Sequence, residues 1–225
     1  MEKIFITGTG RCGTTFLIKL FTFLNFNTGF NKSNYKRFIF SHCNAGMEKA
    51  YTDKYQVLKN PNFLVNIDKI VRDKNIKIKM FIIPIRELEA ATNSRLKYGK
   101  KEGGLWNATN YETQLAFYQK IMTNYLIFMT KHNIPTLFLD FEQMIQDKDY
   151  LFSKLEPLLT EKKILFSTFS QVYDDVSLSS LSPSINLNLK PNTNTIPNTK
   201  PDLKLDTKPD TKLDIKPDTK LDIKI

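Results

Sequence analysis

The residues best equipped for chemistry stand near the amino terminus, in Gly8-Thr-Gly-Arg-Cys-Gly-Thr-Thr15. Three glycines within six positions let the backbone take left-handed angles and turn successive N–H groups toward one point. Thr14 and Thr15 add hydroxyl donors, and Arg11 adds a permanent charge on a planar fork of donors. Donors that converge in this way bind an oxyanion, a phosphate or a sulfate ester. The flanks supply the elements that hold them. Lys3-Ile-Phe-Ile-Thr7 is a short apolar run, and in Phe16-Leu-Ile-Lys-Leu-Phe-Thr-Phe-Leu24 the residues Leu17, Leu20, Phe21 and Leu24 recur at i, i+3, i+4 and i+7. The stretch predicts a strand, a tight loop and a core helix whose positive dipole end faces the anion.

Two stock motifs overlap here. Gly8, Gly10 and Gly13 fit G-x-G-x-x-G, but the dinucleotide fingerprint also needs a second strand ending in Asp or Glu about 20 residues on. That region reads Asn25-Phe-Asn-Thr-Gly-Phe30, with no acidic end. The loop also fits G-x-x-x-x-G-K-[ST], with Thr14 where the lysine belongs. It reads as a phosphate cradle whose charge comes from Arg11, inside the loop. A cysteine phosphatase loop would place an arginine six positions after Cys12, and residue 18 is Ile, so Cys12 reads as a small loop residue.

The remaining landmarks alternate between strand and helix. Phe26 to Ala50 lacks a clean period and reads as an irregular, substrate-facing insertion; it carries His42, and Glu48 falls on a helix expected over Met47–Lys54. Either can take a proton, and either can equally be surface decoration. Tyr55-Gln-Val-Leu-Lys-Asn-Pro61 is a short strand that delivers Lys59 at its carboxyl end, where open α/β sheets bind ligands. Ile76 to Ile85 reads as a strand buried on both faces, with Arg86 at its end and a helix over Glu87–Tyr98 that carries Ser94. A long helix is expected over Tyr111–His132, with Leu115, Tyr118, Met122, Tyr125 and Met129 as its buried seam. Thr136-Leu-Phe-Leu139 forms another buried strand ending at Asp140, and helices near Lys148–Leu159 and Glu161–Tyr173 close the domain. This alternation predicts an α/β domain with a mainly parallel sheet flanked by helices.

At this point the chain resembles the sulfotransferase family. Gly10-Arg-Cys-Gly-Thr-Thr-Phe16 is similar to the loop by which those enzymes hold the 5′-phosphosulfate end of 3′-phosphoadenosine 5′-phosphosulfate. Arg86, a helix, and then Ser94 eight positions on resemble their 3′-phosphate site. Lys59-Asn-Pro-Asn62 resembles the lysine segment after the second main strand, with Asn60 in place of the family's acid and Asn62 in place of its arginine. Phe141-Glu142-Gln-Met144 resembles the aromatic and short helix after a later strand. The basic-glycine segment near the family's carboxyl terminus has no match. The resemblance implies a P-loop NTPase-like fold over residues 1–178 and transfer of a sulfuryl group to a hydroxyl or amine. It assigns Gly10, Arg11, Cys12, Gly13, Thr14, Thr15, Arg86 and Ser94 to the co-substrate. Lys59, His42 and Glu48 fall to catalysis, with no metal. A phosphate-loop ATPase or small-molecule kinase, with Asp140 holding magnesium, is the rival; a nucleotide-binding module without catalysis is a third reading.

Composition bounds these readings. The chain has 225 residues, 41% of them hydrophobic, enough for one domain with a sizeable core. The formal net charge is +10; residues 190–225 hold eight Lys and six Asp, a surplus of +2, which leaves +8 before them. A basic domain suits anionic ligands. The expected partner is a small-molecule or glycan acceptor rather than nucleic acid. Two cysteines make no disulfide framework and no Cys/His metal spacing, and no apolar run approaches the ~18 residues of a membrane span. Met1-Glu-Lys leads straight into the first strand, so the cytoplasm is the expected location. Residues 179–225 form a low-complexity tail in which Lys200-Pro-Asp-Leu-Lys-Leu-Asp-Thr207 recurs from Lys208 and again from Lys216. A proline every eight residues and so few apolar side chains predict disorder.

Overall fold

The computed structural model describes residues 1–40, 43–99 and 103–180. The repeat tail lies outside the described residues from position 181 on, as does His42. In chain order the strands and α-helices are β1 (Glu2–Ile6), α1 (Thr14–Phe23), β2 (Ile39–Phe40), β3 (Ala45–Gly46), β4 (Val57–Lys59), α2 (Ile67–Arg72), β5 (Lys77–Ile85), α3 (Leu88–Leu96), α4 (Tyr111–His132), β6 (Thr136–Asp140), α5 (Phe141–Gln146), α6 (Lys148–Glu161) and α7 (Phe166–Ser180). The fold is α/β. Four strands in the order β4-β1-β5-β6 form a sheet in which every pairing is parallel, with helices on both faces. No described helix is long and apolar enough to cross a membrane.

Strand alternation divides the core into two layers. Ile4, Ile6, Val57, Ile82 and Leu139 point to one face, where they pack with α1, α6 and α7. Phe5, Leu58, Phe81 and Ile83 point to the other, against Ile67 and Ile70 of α2, Ala91 of α3, and Tyr118, Ile121 and Tyr125 of α4. Phe5 stacks on Phe81 at 5.0 Å between ring centres and meets Phe63 edge-on. A sheet buried on both faces needs apolar residues at successive positions, which is why β1 and β5 read as continuous apolar runs.

This topology sets the place of the site. From β1 the chain passes over one face through α1 to β4, then over the other face through α2 to β5 on the opposite side of β1. The carboxyl end of β1 is therefore a switch point, where the two crossovers part and leave a crevice. Because all four strands are parallel, their carboxyl ends lie along one edge in the order Lys59, the Gly8 loop, Arg86, Asp140.

Two sequence expectations need correction. The helix expected over Met47–Lys54 does not form: Ala45–Gly46 pairs antiparallel with Ile39–Phe40, and Met47 follows with φ of 59°. Met47 N–H closes that hairpin on the Phe38 carbonyl at 2.8 Å, and Lys49 N–H bonds the Lys59 carbonyl at 3.0 Å. The left-handed Met47 and these tertiary hydrogen bonds thus hold the segment in a non-helical path. The seam of α4 is centred on Gln114, Tyr118, Ile121 and Tyr125, while Met122 and Met129 lie at its margin. Otherwise α4 runs over the span its periodicity predicts.

Candidate functional site

The loop from Thr7 to Gly13 is folded on itself by small contacts. Gly10, Arg11 and Gly13 have φ of 80°, 58° and 83°, so the chain turns twice through left-handed angles within four residues. Cys12 is fully buried, and a Cβ at Gly8 would stand 2.4 Å from its sulfur, so the thiol occupies the space that glycine leaves. Burial pushes the Cys12 thiol above its ordinary pKa, which keeps it protonated and unreactive.

What this folding leaves open decides the chemistry. Among the described residues, no oxygen accepts from the backbone N–H of any residue from Gly8 to Phe16; Thr7 N–H before them bonds Ile82, and Leu17 N–H after them bonds Gly13. Helix α1 starts on Gly13 without a side-chain cap, and its first turn carries no acid. The Thr14 and Thr15 side chains are buried and donate to no described acceptor. The Gly10 and Cys12 N–H groups turn toward the Cys12 sulfur; the other open donors at this buried helix start can receive an oxyanion.

These groups face a cavity of about 520 Å³ whose walls include Gly10, Arg11, Gly13, Thr14, Thr15, Glu48, Lys59, Ser94 and Tyr98. That volume is in the range of small-molecule sites. Arg11 lies 3.9 Å above the Tyr98 ring, and its Nη1 donates to the Cys43 carbonyl at 2.7 Å. Its Nε and Nη2 are buried without a partner among the described residues. Lys59 is 2% exposed; its Nζ donates to Gly46 O at 2.9 Å and to Glu48 Oε1 at 3.1 Å. An ammonium has three donors, so one remains for a ligand. Burial lowers the Lys59 pKa, and Glu48, placed on the cavity wall by the short β2–β3 hairpin, opposes that shift. Asn60, which precedes Pro61, accepts from Asn62 N–H at 2.9 Å and donates to Lys49 O, so it shapes the turn after Lys59.

The structure gathers Gly10, Arg11, Gly13, Thr14, Thr15, Glu48, Lys59 and Ser94 around one cavity, with Cys12 packed behind the loop. Arg86 stands one step back. Its Nη1 donates to the Arg11 carbonyl at 2.8 Å, its guanidinium lies over Phe141, and it is not among the groups that line the cavity. Asp140 is exposed and caps α5, accepting from Gln143 N–H at 2.7 Å.

Arg95, Lys19 and Asn44 are among the wall residues that escaped the sequence reading. Arg95 is buried; it bonds Tyr118, the carbonyls of Gly103 and Gly104, and Thr9 O at 3.4 Å. A Cβ at Gly10 would sit 2.2 Å from its Nη2, so Arg95 is the strut against which the loop is formed. Lys19 lies one turn beyond Thr15 on α1, and Asn44 bonds the end of α7. A lysine inside an otherwise apolar helix stripe was the available signal for Lys19. Against protein-family models, curated proteins and solved structures, the chain finds no match.

Proposed function

We propose that the chain is a sulfotransferase that moves a sulfuryl group from 3′-phosphoadenosine 5′-phosphosulfate to a hydroxyl or amine of a small-molecule or glycan acceptor. One observation supports the reading: open N–H groups at Arg11 and from Gly13 to Phe16, joined by two threonine hydroxyls and the half-satisfied Arg11 guanidinium, at one cavity. The co-substrate would supply an activated sulfate, a sulfur bonded to a good leaving phosphate. Gly10, Arg11, Gly13, Thr14 and Thr15 would hold its 5′ end. Ser94 would face the 3′-phosphate, and Arg86 would reach it only by giving up its bond to the Arg11 carbonyl.

The remaining chemistry belongs to side chains already in place. The acceptor oxygen or nitrogen bonds sulfur as the bond from sulfur to the 5′-phosphate oxygen breaks, leaving a sulfate ester or sulfamate and adenosine 3′,5′-bisphosphate. Lys59 directs its third donor at the oxygen on which charge accumulates, a form of preorganised stabilisation that acts without reorganisation. Glu48, partly exposed beside Lys59, takes the acceptor proton. In the kinase reading an acid at the end of β6 holds magnesium; Asp140 there is engaged as a helix cap.

Calorimetric titration with adenosine 3′,5′-bisphosphate, and separately with ATP and magnesium, tests the assignment. The bisphosphate should bind at least tenfold more tightly. Tighter binding of magnesium-ATP favours the kinase reading. Tight bisphosphate binding, with no labelled sulfate passed to any of a panel of hydroxyl and amine acceptors, favours a binding module.

A further inference from the structure

The cavity has a second charged end. Helix α1 is buried along its whole length, and Lys19, 2% exposed, continues the face of Thr15 by one turn into the same cavity. Its Nζ donates to Ser180 Oγ at 3.3 Å, and no carboxylate among the described residues pairs with it. Ser177, one turn earlier on α7, has a buried hydroxyl with no partner within hydrogen-bond geometry among the described residues, though it lies close enough to Tyr173 to influence that phenol, and it also lines the cavity. Asn44 fixes the end of α7 by donating to Ser180 O at 2.9 Å.

This cation is under-compensated. The carboxyl end of α7 offers only about half a negative charge. Burial, with Lys36 adding repulsion, lowers the Lys19 pKa. Among the described residues that line the cavity, Arg11, Lys19, Lys59 and Arg95 stand against one carboxylate, Glu48, which is already taken by Lys59. The Tyr35 ring, 6.0 Å from Lys19 Nζ, gives weak compensation, and an anion that meets the ammonium removes most of the cost of its burial. The loop donors can account for one oxyanion; Lys19, a full turn further along α1, calls for another.

We propose that Lys19, Ser177 and Ser180 form a second oxyanion subsite, and that the acceptor arrives already bearing an anionic group, a carboxylate or an existing sulfate ester, which this subsite holds. The assignment of that anion to the acceptor rests on the transferase reading above; the existence of the subsite does not. A neutral alcohol would leave Lys19 unpaired and is the poorer acceptor.

The test uses the full chain saturated with adenosine 3′,5′-bisphosphate and then titrated with sodium sulfate or with sodium acetate at constant ionic strength. Wild type should bind one further anion, and the tighter of the two salts tells sulfate ester from carboxylate. Lys19→Met should weaken that binding tenfold or more. Ser177→Ala, which keeps the cation and removes one small hydroxyl, should weaken it about threefold and guards against a misfolded lysine variant. Equal anion binding by wild type and Lys19→Met overturns the subsite. Loss of sulfate binding upon bisphosphate saturation also overturns it, because the Lys19 end would then hold part of the co-substrate. Should the bisphosphate itself fail to bind, the transferase reading falls, while the same titrations of the free chain still show whether Lys19 holds an anion.

Discussion

Helices α1 and α4 begin in opposite ways. At α4, Asn110 Oδ1 accepts from Thr113 N–H at 2.9 Å while Thr113 Oγ1 accepts from Asn110 N–H at 3.1 Å, a reciprocal capping box on the protein surface. Helices α5 and α6 are capped in turn by Asp140 and Asp147. At α1 the cap position is Gly13, no side chain accepts from the first turn, and the threonines that follow are buried. An exposed helix start could leave its donors to water at little cost. A buried one with unfilled donors forfeits about 1–3 kcal/mol per group unless something accepts. Side-chain caps close α4, α5 and α6, while α1, α2 and α3 start without one; of these, α1 is the one whose uncapped first turn is buried against the cavity, where an acceptor from outside can reach it.

The sharpest way to break this contrast is Gly13→Ala. At φ of 83° an alanine costs about 1–2 kcal/mol on backbone grounds. Its Cβ would stand 2.5 Å from Met144 Cε and 3.1 Å from the Phe141 ring, and Met144 is fully buried. Overpacking adds about 1–3 kcal/mol. Denaturant unfolding should show a loss near 3 kcal/mol, with bisphosphate affinity down at least tenfold by calorimetry. A variant that keeps both would show that the left-handed turn does not set the direction of the loop donors.

How much of this was legible beforehand follows the range of the interactions involved. β1, the glycine loop and α1 are written locally, in glycine spacing and in apolar period, and they stand where the sequence places them. So do α4, whose period persists over 22 residues, and the four core strands. Glu48 was misplaced because its segment is shaped by strand-like partners on either side, Phe38 and Lys59, that helical periodicity does not reveal. Arg86 and Ser94 could be named from their spacing, but not the choice Arg86 makes of the Arg11 carbonyl. Lys19 left a local signal and Arg95 none, but a lysine within an apolar helix and an arginine on a short helix acquire meaning only when α7 and the Gly103–Gly104 turn are brought against them.

A second test sharpens the contrast between function and stability at one residue. Burial lowers the Lys59 pKa, so below that value the folded state carries a charge it disfavours, while the unfolded state keeps the ordinary 10.5. Between the two pKa values the unfolded chain binds more protons, and stability rises with pH. Lys59→Met removes the penalty and leaves Glu48, 47% exposed, able to find water. Its Tm should exceed that of wild type at pH 7, with the gap closing as pH approaches 10.5, while sulfuryl transfer at pH 7 falls about 100-fold. A lower Tm at pH 7 with turnover intact would make Lys59 a structural pair for Glu48.

The smallest effect is expected at the other helix start. Asn110→Ala removes the Asn110 Oδ1 half of the capping box, and leaves the bond from Asn110 N–H to Thr113 Oγ1, at an exposed position far in sequence from the loop. Such substitutions cost about 1 kcal/mol, equivalent to a Tm lower by roughly 2–4 °C in a chain of this size. Water can reach the freed donors, so the rest of the fold should not shift, and bisphosphate affinity should stay within twofold of wild type. An affinity loss at Asn110→Ala comparable to that of Gly13→Ala would mean that α4 transmits its start to the cavity, through Tyr118 and the Arg95 strut that bonds it. The division between a helix end filled for stability and one left open for a ligand would then no longer hold.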